Sequence, residues 1–269
     1  MNNQEVLGES MEYKNIRLEH VGLVAVVTLN APEVLNALSA DMVSELSHAI
    51  TEVTTSDARC LLITGEGRAF CAGANLQTQG SSDEVPPAGG VLETHYHPVM
   101  NKLKNMDIPM VSAVNGPCVG VGMSFAVMAD MVIAAKSAYF LQAFANIGLV
   151  PDGGATWLLP RLIGWGRAVE LSMMAERLPA EQAFEWGLVN RLVEDDRLMD
   201  EAMAVADKLA NGPMSLGLIR RAYWQTFNNS YAEQFQLEAN LQNEAGASAD
   251  NREGVQAFLE KREAKFSGK

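Results

Sequence analysis

Two glycine-containing loops constrain the fold of this chain more than any other feature, because each directly follows a short apolar run. The first loop spans 64–76 and reads TGEGRAFCAGANL, and the second spans 115–123 and reads NGPCVGVGM. The preceding runs, 59–64 and 110–114, are typical of buried strands. Glycine permits positive φ and a close approach of backbone to a ligand. Two such loops at neighbouring strand ends can direct two backbone N–H groups at one oxygen, which is an oxyanion hole. Taken singly, each loop is equally consistent with an ordinary strand-to-helix turn.

Composition excludes several classes of protein. The chain has 269 residues, of which 48% are hydrophobic and 20% charged, as expected for a globular protein with one large domain or a core plus a small appendage. A net charge of −13 argues against nucleic acid or an anionic membrane as the partner. The N-terminus shows no secretory pattern, and the three cysteines have no metal-ligand spacing. We therefore expect a cytoplasmic, metal-free protein in which Cys71 is an apolar filler rather than a nucleophile.

The order of elements predicts an α/β fold. Predicted strands at 59–64, 110–114 and 131–135 alternate with helices, which indicates a largely parallel, right-handed wound sheet. Two further strands are expected between residues 17 and 29, followed by a helix with Ser39 as its N-cap. We predict a surface loop at 77–90, a helix at about 91–105, and an entirely helical chain after Gly153. The expected helix breaks are Pro160, Gly164, Pro179 and Gly212-Pro213.

The two loops also resemble a known superfamily. FCAGANL (70–76) and NGPCVGVG (115–122) are similar to the signature segments of the crotonase superfamily, the enoyl-CoA hydratases and isomerases. The resemblance extends from about residue 16 to 266 and includes LNAPEVLNAL (29–38), GLVPDGG (148–154), AFEWGLV (183–189) and AFLEKR (257–262). It implies a crotonase-like spiral of ββα units at 14–200 and an α-helical trimerisation region at 201–269. A homo-oligomer, either a trimer or a dimer of trimers, is implied as well.

Members of this superfamily act on acyl-CoA thioesters, so the resemblance implies such a substrate and no separate cofactor. It assigns the two oxyanion-hole N–H groups to Ala74 and Val121, where they would stabilise a thioester enolate. Glycine is common in hydratases at the position of Val121, but a backbone donor does not depend on its own side chain. The predicted substrate-binding set also contains Ala72, Leu76, Gly120 and Phe144.

The acid–base positions separate the reactions of the superfamily. Hydratases use two glutamates, and the matching positions here are Ser124 and Phe144, neither of which can exchange a proton near neutral pH. Asp152 matches the carboxylate of the Δ3,Δ2-enoyl-CoA isomerase and ring-epoxide phenylacetyl-CoA isomerase types. An apolar surround would raise the pKa of this carboxyl, and the candidates are Phe144, Ile147, Leu149, Val150 and Trp157. An aspartate before Gly-Gly is also typical of a helix cap, so that role stays open.

Basic residues indicate where coenzyme A would bind. Arg68 is the leading candidate for a phosphate contact, and Phe258 with Lys261 resembles a pair that contacts adenine and phosphate, often beside a neighbouring subunit. Lys261 is equally consistent with a solvated helix face. His97 matches the general base of 4-chlorobenzoyl-CoA dehalogenases, with Asp152 as their nucleophile, although Phe144 replaces the tryptophan expected there.

The sequence therefore predicts an acyl-CoA isomerase that converts 3-enoyl-CoA to 2-enoyl-CoA with Asp152 as the proton shuttle. The alternatives are an enoyl-CoA hydratase, a dehalogenase-like enzyme that also uses His97, and a non-catalytic acyl-CoA-binding member of the family. In the isomerase reading, Ser124 has no role in proton transfer.

Overall fold

The computed structural model of the protein describes residues 12–76 and 88–269. Most of the predicted loop 77–90 lies outside the described residues, as does the start of the chain. Within the described part, no helix is both long and apolar enough to cross a membrane.

A six-stranded sheet forms the centre of the molecule. The described strands are β1 Ile16–Val21, β2 Val24–Leu29, β3 Cys60–Gly65, β4 Met110–Val114, β5 Pro117–Val119, β6 Met131–Ala135, β7 Tyr139–Leu141, β8 Leu178–Pro179 and β9 Arg191–Val193. The main sheet has the order β1-β2-β3-β4-β6-β9, and every pair in it is parallel except the antiparallel β1–β2. A smaller sheet joins β5, β7 and β8.

Helices cover the sheets and dominate the chain after β9. The described α-helices are α1 Ala40–Thr55, α2 Ala88–Val91, α3 His97–Lys104, α4 Val121–Val127, α5 Ala155–Ile163, α6 Trp165–Met174, α7 Ala180–Glu185, α8 Leu198–Ala210, α9 Ser215–Thr226, α10 Tyr231–Ala247 and α11 Ala249–Glu260. A π-helical turn, Leu92–Tyr96, joins α2 to α3, and a 3-10 turn, Ala143–Ile147, follows β7.

Local sequence explains the elements that lead to the site. Ser39 caps α1 as predicted, because its hydroxyl accepts a hydrogen bond of 3.1 Å from the Met42 N–H. The residues of β2, β3 and β4 are all buried, as expected for parallel strands covered on both faces. The carboxyl ends of β3 and β4 lead directly into the two glycine-containing loops.

Two expectations about the second half of the chain were wrong. The chain is not wholly helical after Gly153, because β8 joins the small sheet and β9 pairs with β6 at the edge of the main sheet. Pro160 does not end a helix but lies inside α5, which ends at Ile163 before Gly164. Short strands such as these are held by tertiary pairing, so their local sequence carries little signal.

The C-terminal helices begin with α8, which packs against β3, β4 and β6 through a buried face that includes Ala202 and Ala206. This helix runs across residue 200, where the sequence suggested a boundary between the spiral core and a trimerisation region. That division stays a prediction.

Candidate active site

The two glycine-containing loops dock directly on each other. The Cys71 N–H donates to the Pro117 carbonyl at 3.1 Å, and the Val119 N–H donates to the Cys71 carbonyl at 2.9 Å. Gly73 and Gly120 adopt φ values of +96° and +55°, and a Cβ built on Gly73 would lie 3.1 Å from the Val119 oxygen and 3.9 Å from the Gly120 Cα. The backbones approach this closely because neither position carries a side chain.

This docking leaves two backbone donors available. Leu38 forms a parallel bridge to Ala74 through the two neighbours of Ala74. The Leu38 N–H donates to the Gly73 carbonyl, and the Leu38 carbonyl accepts from the Asn75 N–H. The N–H of Ala74 itself therefore faces away from Leu38. Val121 is the first residue of α4, where a backbone N–H has no partner inside the helix. Among the described residues, neither the Ala74 N–H nor the Val121 N–H has a hydrogen-bond partner. Both can donate to an oxygen of a bound molecule.

Cys71 fills the space beneath this junction. Its side chain is fully buried, and a Cβ on Gly122 would lie 2.6 Å from the Cys71 Sγ. Burial raises the pKa of the Cys71 thiol to about 12, which leaves almost no thiolate near neutral pH. This environment suits a packing residue and not a nucleophile.

Asp152 lies in the turn that precedes α5 and is half-buried. Its Oδ1 is buried and has no hydrogen-bond partner among the described residues. Burial raises the pKa of the Asp152 carboxyl from 3.8 to about 6, and the nearby His97 partly offsets this rise. The N-cap of α5 is Gly154, and no side chain caps that helix. The helix-cap role considered for Asp152 is therefore wrong.

The surround of Asp152 differs in part from the expected one. Phe144 is buried, and its ring lies 3.8 Å from where a Cβ on Gly120 would stand. Ile147, Leu149 and Val150 are instead 54%, 47% and 79% exposed, so they do not bury the carboxyl within one chain. Gly148, Gly153 and Gly154, which flank Leu149 and Val150, all adopt positive φ.

Ser124 contacts Asp152 from α4, which sequence reasoning did not foresee. Its buried hydroxyl donates a 2.8 Å hydrogen bond to the backbone carbonyl of Asp152. Tyr96 was also missed. It is buried at the end of the π-helical turn, with its hydroxyl 3.5 Å from the Leu38 carbonyl. Burial, assisted by the charge of Asp152, raises the Tyr96 pKa and keeps that hydroxyl protonated. No local sequence pattern marks either contact, because both partners are distant along the chain.

A cavity of about 360 Å³ adjoins the Asp152 turn. Its walls come from α3, α5 and α9, from the residues just after α4 and α9, and from those just after Asp152: His97, Met100, Asn101, Lys104, Met128, Gly153, Gly154, Trp157, Leu158, Trp224 and Asn228. The rings of Trp157 and Trp224 stack with centroids 5.8 Å apart and an interplanar angle of 5°. The cavity thus brings His97 and Trp157 to one place and offers apolar walls to an acyl group.

Arg68 occupies an exposed turn that two asparagines hold in place. The Asn36 Nδ2 donates to the carbonyls of Glu66 and Ala69, and the Asn115 Nδ2 donates to those of Gly65 and Gly67. Arg68 itself is exposed, so its guanidinium is accessible from solvent.

The remaining predicted ligand-binding residues lie in two places, the first loop and the end of α11. Ala72 is half-buried next to the loop junction, and Leu76 is 52% exposed at the end of the first loop. Phe258 is 82% exposed and Lys261 ends α11, and no hydrogen bond, ion pair or ring contact among the described residues joins either to the first loop. Within residues 12–76 and 88–269, no group of three or more histidine, cysteine or acidic side chains is arranged to hold a metal ion.

Comparison with known proteins places this geometry in a family. The model of the enoyl-CoA hydratase/isomerase family matches residues 19–269. A 1,2-epoxyphenylacetyl-CoA isomerase of Escherichia coli (strain K12) is 43% identical over 91% of this chain and 95% of its own length. A probable enoyl-CoA hydratase of Rhodobacter capsulatus is also 43% identical, over 96% of this chain and all of its own.

Solved structures of enoyl-CoA hydratases have a similar fold. An enoyl-CoA hydratase subunit from Geobacillus kaustophilus HTA426 superimposes with a TM-score of 0.89 at 35% identity, covering 96% of this chain and 100% of that one. The predicted crotonase-like α/β fold is confirmed. An isomerase and a probable hydratase match equally well, so the reaction must be inferred from the site itself.

Proposed function

The chain belongs to the enoyl-CoA hydratase/isomerase family, and from that membership we propose that it is an acyl-CoA isomerase. It moves a double bond of the acyl group from the 3,4 to the 2,3 position. One observation carries this proposal: Asp152 is a carboxylate with a pKa raised to about 6, while positions 124 and 144 carry serine and phenylalanine. A 1,3-proton shift needs one group that takes and returns a proton, whereas adding water needs groups that place and activate that water.

The proposed mechanism uses three backbone or side-chain groups. The thioester oxygen accepts hydrogen bonds from the Ala74 and Val121 N–H groups. Ionised Asp152 removes a proton from C2, and the electrons move into the carbonyl to give an enolate whose charge faces those two donors. The protonated Asp152 then returns the proton to C4, the C2–C3 double bond forms, and the carbonyl is restored. Because the donors meet more charge in the enolate than in the substrate, they favour the transition state.

The raised pKa of Asp152 suits this role. A carboxyl with a pKa about 6 is mostly ionised at neutral pH, yet it is a stronger base than one with the ordinary value of 3.8. Proton transfer is most effective when the pKa of the catalytic group lies near the working pH. The buried, unpartnered Oδ1 also has no competing donor in the described part of the protein.

Hydration of 2-enoyl-CoA is the second candidate, favoured by the similarity to the Rhodobacter capsulatus protein. It would require Asp152 to share the task of activating water with a neighbour such as His97 or Tyr96. Neither stands at a position that carries glutamate in the two-glutamate hydratases.

A panel of thioesters separates these functions. We expect purified protein to convert a 3-enoyl-CoA to the 2-enoyl-CoA faster than it hydrates the 2-enoyl-CoA, and to leave 4-chlorobenzoyl-CoA intact. Faster hydration would contradict the isomerase proposal, and chloride release would point to the dehalogenase reaction with His97. A protein that binds all three without turnover would be a non-catalytic acyl-CoA-binding member.

For the coenzyme we propose a phosphate contact by Arg68. Arg68→Ala is expected to weaken binding of a coenzyme A thioester, and more at low than at high ionic strength, because salt screens exposed charges. Arg197→Ala is the matched control, since the ion pairs of Arg197 within 12–76 and 88–269 are with Asp200 and Glu201 of its own helix region. Equal affinity of Arg68→Ala and the wild type at low salt would remove Arg68 from the site.

We further propose a trimer or a dimer of trimers built through the C-terminal helices. Ile219, Phe235 and Phe258 on α9, α10 and α11 are 51%, 63% and 82% exposed, so each of these helices presents a large apolar side chain that a neighbouring subunit would cover. Phe258 and Lys261 would then contact coenzyme A held by a neighbouring subunit. Light scattering that gives the mass of a single chain at micromolar concentration would contradict this assembly.

A further inference from the structure

Ser124 stands where the two-glutamate hydratases carry one of their carboxylates, yet its side chain is committed to the backbone. It is fully buried in α4, and its hydroxyl donates to the Asp152 carbonyl at 2.8 Å. A hydroxyl has a single proton to donate, so this bond uses it. Ser124 is not among the residues that line the neighbouring cavity. Its contact is with the chain segment that carries the carboxylate.

Gly153, the residue after Asp152, also packs against Ser124. A Cβ on Gly153 would lie 2.8 Å from the Ser124 Cβ and 2.9 Å from the Met100 Cε, and Gly153 has φ +60°. Only glycine fits there, so the peptide that links Asp152 to Gly153 rests directly on α4. One hydrogen bond and one packing contact therefore hold the base against this helix.

The same helix carries an oxyanion donor. Val121, whose N–H is free to bind an oxygen, lies three residues before Ser124 and hence about one helical turn away. Because a helical turn is rigid, Ser124 sets the position of the Asp152 carboxylate relative to that donor. The thioester oxygen and the C2 proton would have to meet these two groups at the same time.

We propose that Ser124 is a positioning residue that keeps the Asp152 carboxylate in register with the oxyanion hole. This inference rests on the proposed isomerase function and on Asp152 as its base. Without the hydroxyl the Asp152 carbonyl keeps the 3.1 Å bond from the Ala155 N–H within its own turn but loses its hydrogen bond to α4. The turn can then shift relative to α4 and carry the carboxylate away from C2 and C4. A displacement of about 1 Å can lower a rate by about 10²-fold. The groups that bind the thioester are unchanged, so the loss falls on kcat and not on KM.

Two buried serines make a matched pair for the test. Ser124→Ala is expected to lower kcat for 3-enoyl-CoA by about 10-fold or more with little change in KM. Ser112→Ala is the control, because Ser112 in β4 is equally buried but its Oγ has no hydrogen-bond partner among the described residues. It should leave both constants unchanged. Ser124→Cys keeps the size of the side chain with a weaker donor and should fall between Ser124→Ala and the wild type.

A double-mutant cycle separates positioning from a general structural role. If Ser124 acts through Asp152, Ser124→Ala should have no further effect on the residual rate of Asp152→Asn. The acid limb of the wild-type pH profile should also move to lower pH in Ser124→Ala, because a loosened carboxylate gains solvent. Two results would overturn the positioning role alone. One is an equal fall in rate when Ser124→Ala is introduced into the wild type and into Asp152→Asn. The other is a wild-type kcat for Ser124→Ala when Asp152→Asn is inactive. A fully active Asp152→Asn would instead overturn the proposed function.

Discussion

At the scale of single residues, the proposed site depends on Asp152, whose buried Oδ1 has no hydrogen-bond partner among the described residues. Sequence reasoning could propose Asp152, because GLVPDGG (148–154) resembles the segment that carries the carboxylate of the isomerase types. It could not foresee that Ser124 holds the Asp152 carbonyl or that Tyr96 lies near the carboxylate. Both relations join residues far apart in sequence, and hydroxyl groups occur at too many positions to mark a contact by themselves.

The unpaired carboxylate should cost the protein stability in a pH-dependent way. Because burial raises the pKa of Asp152 from 3.8 to about 6, the folded state holds this proton more tightly than the unfolded state. The loss of stability is absent below the pKa that Asp152 has in the unfolded chain, and it is complete above the pKa that Asp152 has in the folded protein. Asp152→Asn is therefore expected to raise the Tm near pH 7 and above, and the gain should shrink as the pH falls through about 6. A variant whose Tm lies below that of the wild type across this range would contradict the assigned environment.

At the scale of elements, the two loops form a unit because each supplies glycine where the other approaches. The sequence predicts the strands that precede them, since apolar runs of strand length are strong local signals. It does not reveal β5 inside the second loop or the π-helical turn Leu92–Tyr96. Contacts with other parts of the chain hold β5, including the bonds that Pro117 and Val119 make to Cys71.

Gly122 tests the contact between the loops. Gly122→Ala would place a Cβ 2.6 Å from the Cys71 Sγ and 2.8 Å from its carbonyl oxygen, and backbone atoms cannot move aside easily. We expect a loss of about 2 kcal/mol in the free energy of unfolding, measured with urea, together with reduced turnover. Gly166→Ala in α6 is the control, because its added methyl group meets no atom within 4 Å. Similar stability of the two variants would show that the loops can separate without cost.

At the scale of the whole molecule, a buried arginine fastens the C-terminal helix α9 to the core. Arg220 of α9 pairs with Asp130 at 2.9 Å and donates to the carbonyls of Leu103, Lys104 and Met106 at the end of α3. These bonds position α9, which supplies Trp224 to the cavity beside Asp152, and the turn after it, which supplies Asn228. The order of motifs predicts the superfamily fold, but it cannot predict this attachment, because the partners are dispersed along the chain.

Variants of the adjacent Arg220 and Arg221 show how much this attachment contributes to the free energy of unfolding. Arg220→Met should lower the free energy of unfolding by about 2–3 kcal/mol, since it removes the donor to three carbonyls and leaves Asp130, among the described residues, with the Met110 N–H alone. Arg221→Met is the control, because its ion pairs with Asp107 and Glu244 lie at the surface and contribute about 1 kcal/mol or less. Chemical denaturation of both variants gives the comparison. Equal effects would mean that α9 is held mainly by other contacts.

The central claim, that Asp152 alone shuttles the proton, is tested most directly by the turnover of 3-enoyl-CoA in Asp152→Asn. Asparagine keeps the size of the side chain and removes the base. The rate of double-bond migration, followed as the 2-enoyl thioester forms, should fall by at least about 10²-fold while the affinity for the thioester changes little. Isomerisation by Asp152→Asn at the wild-type rate would contradict the account.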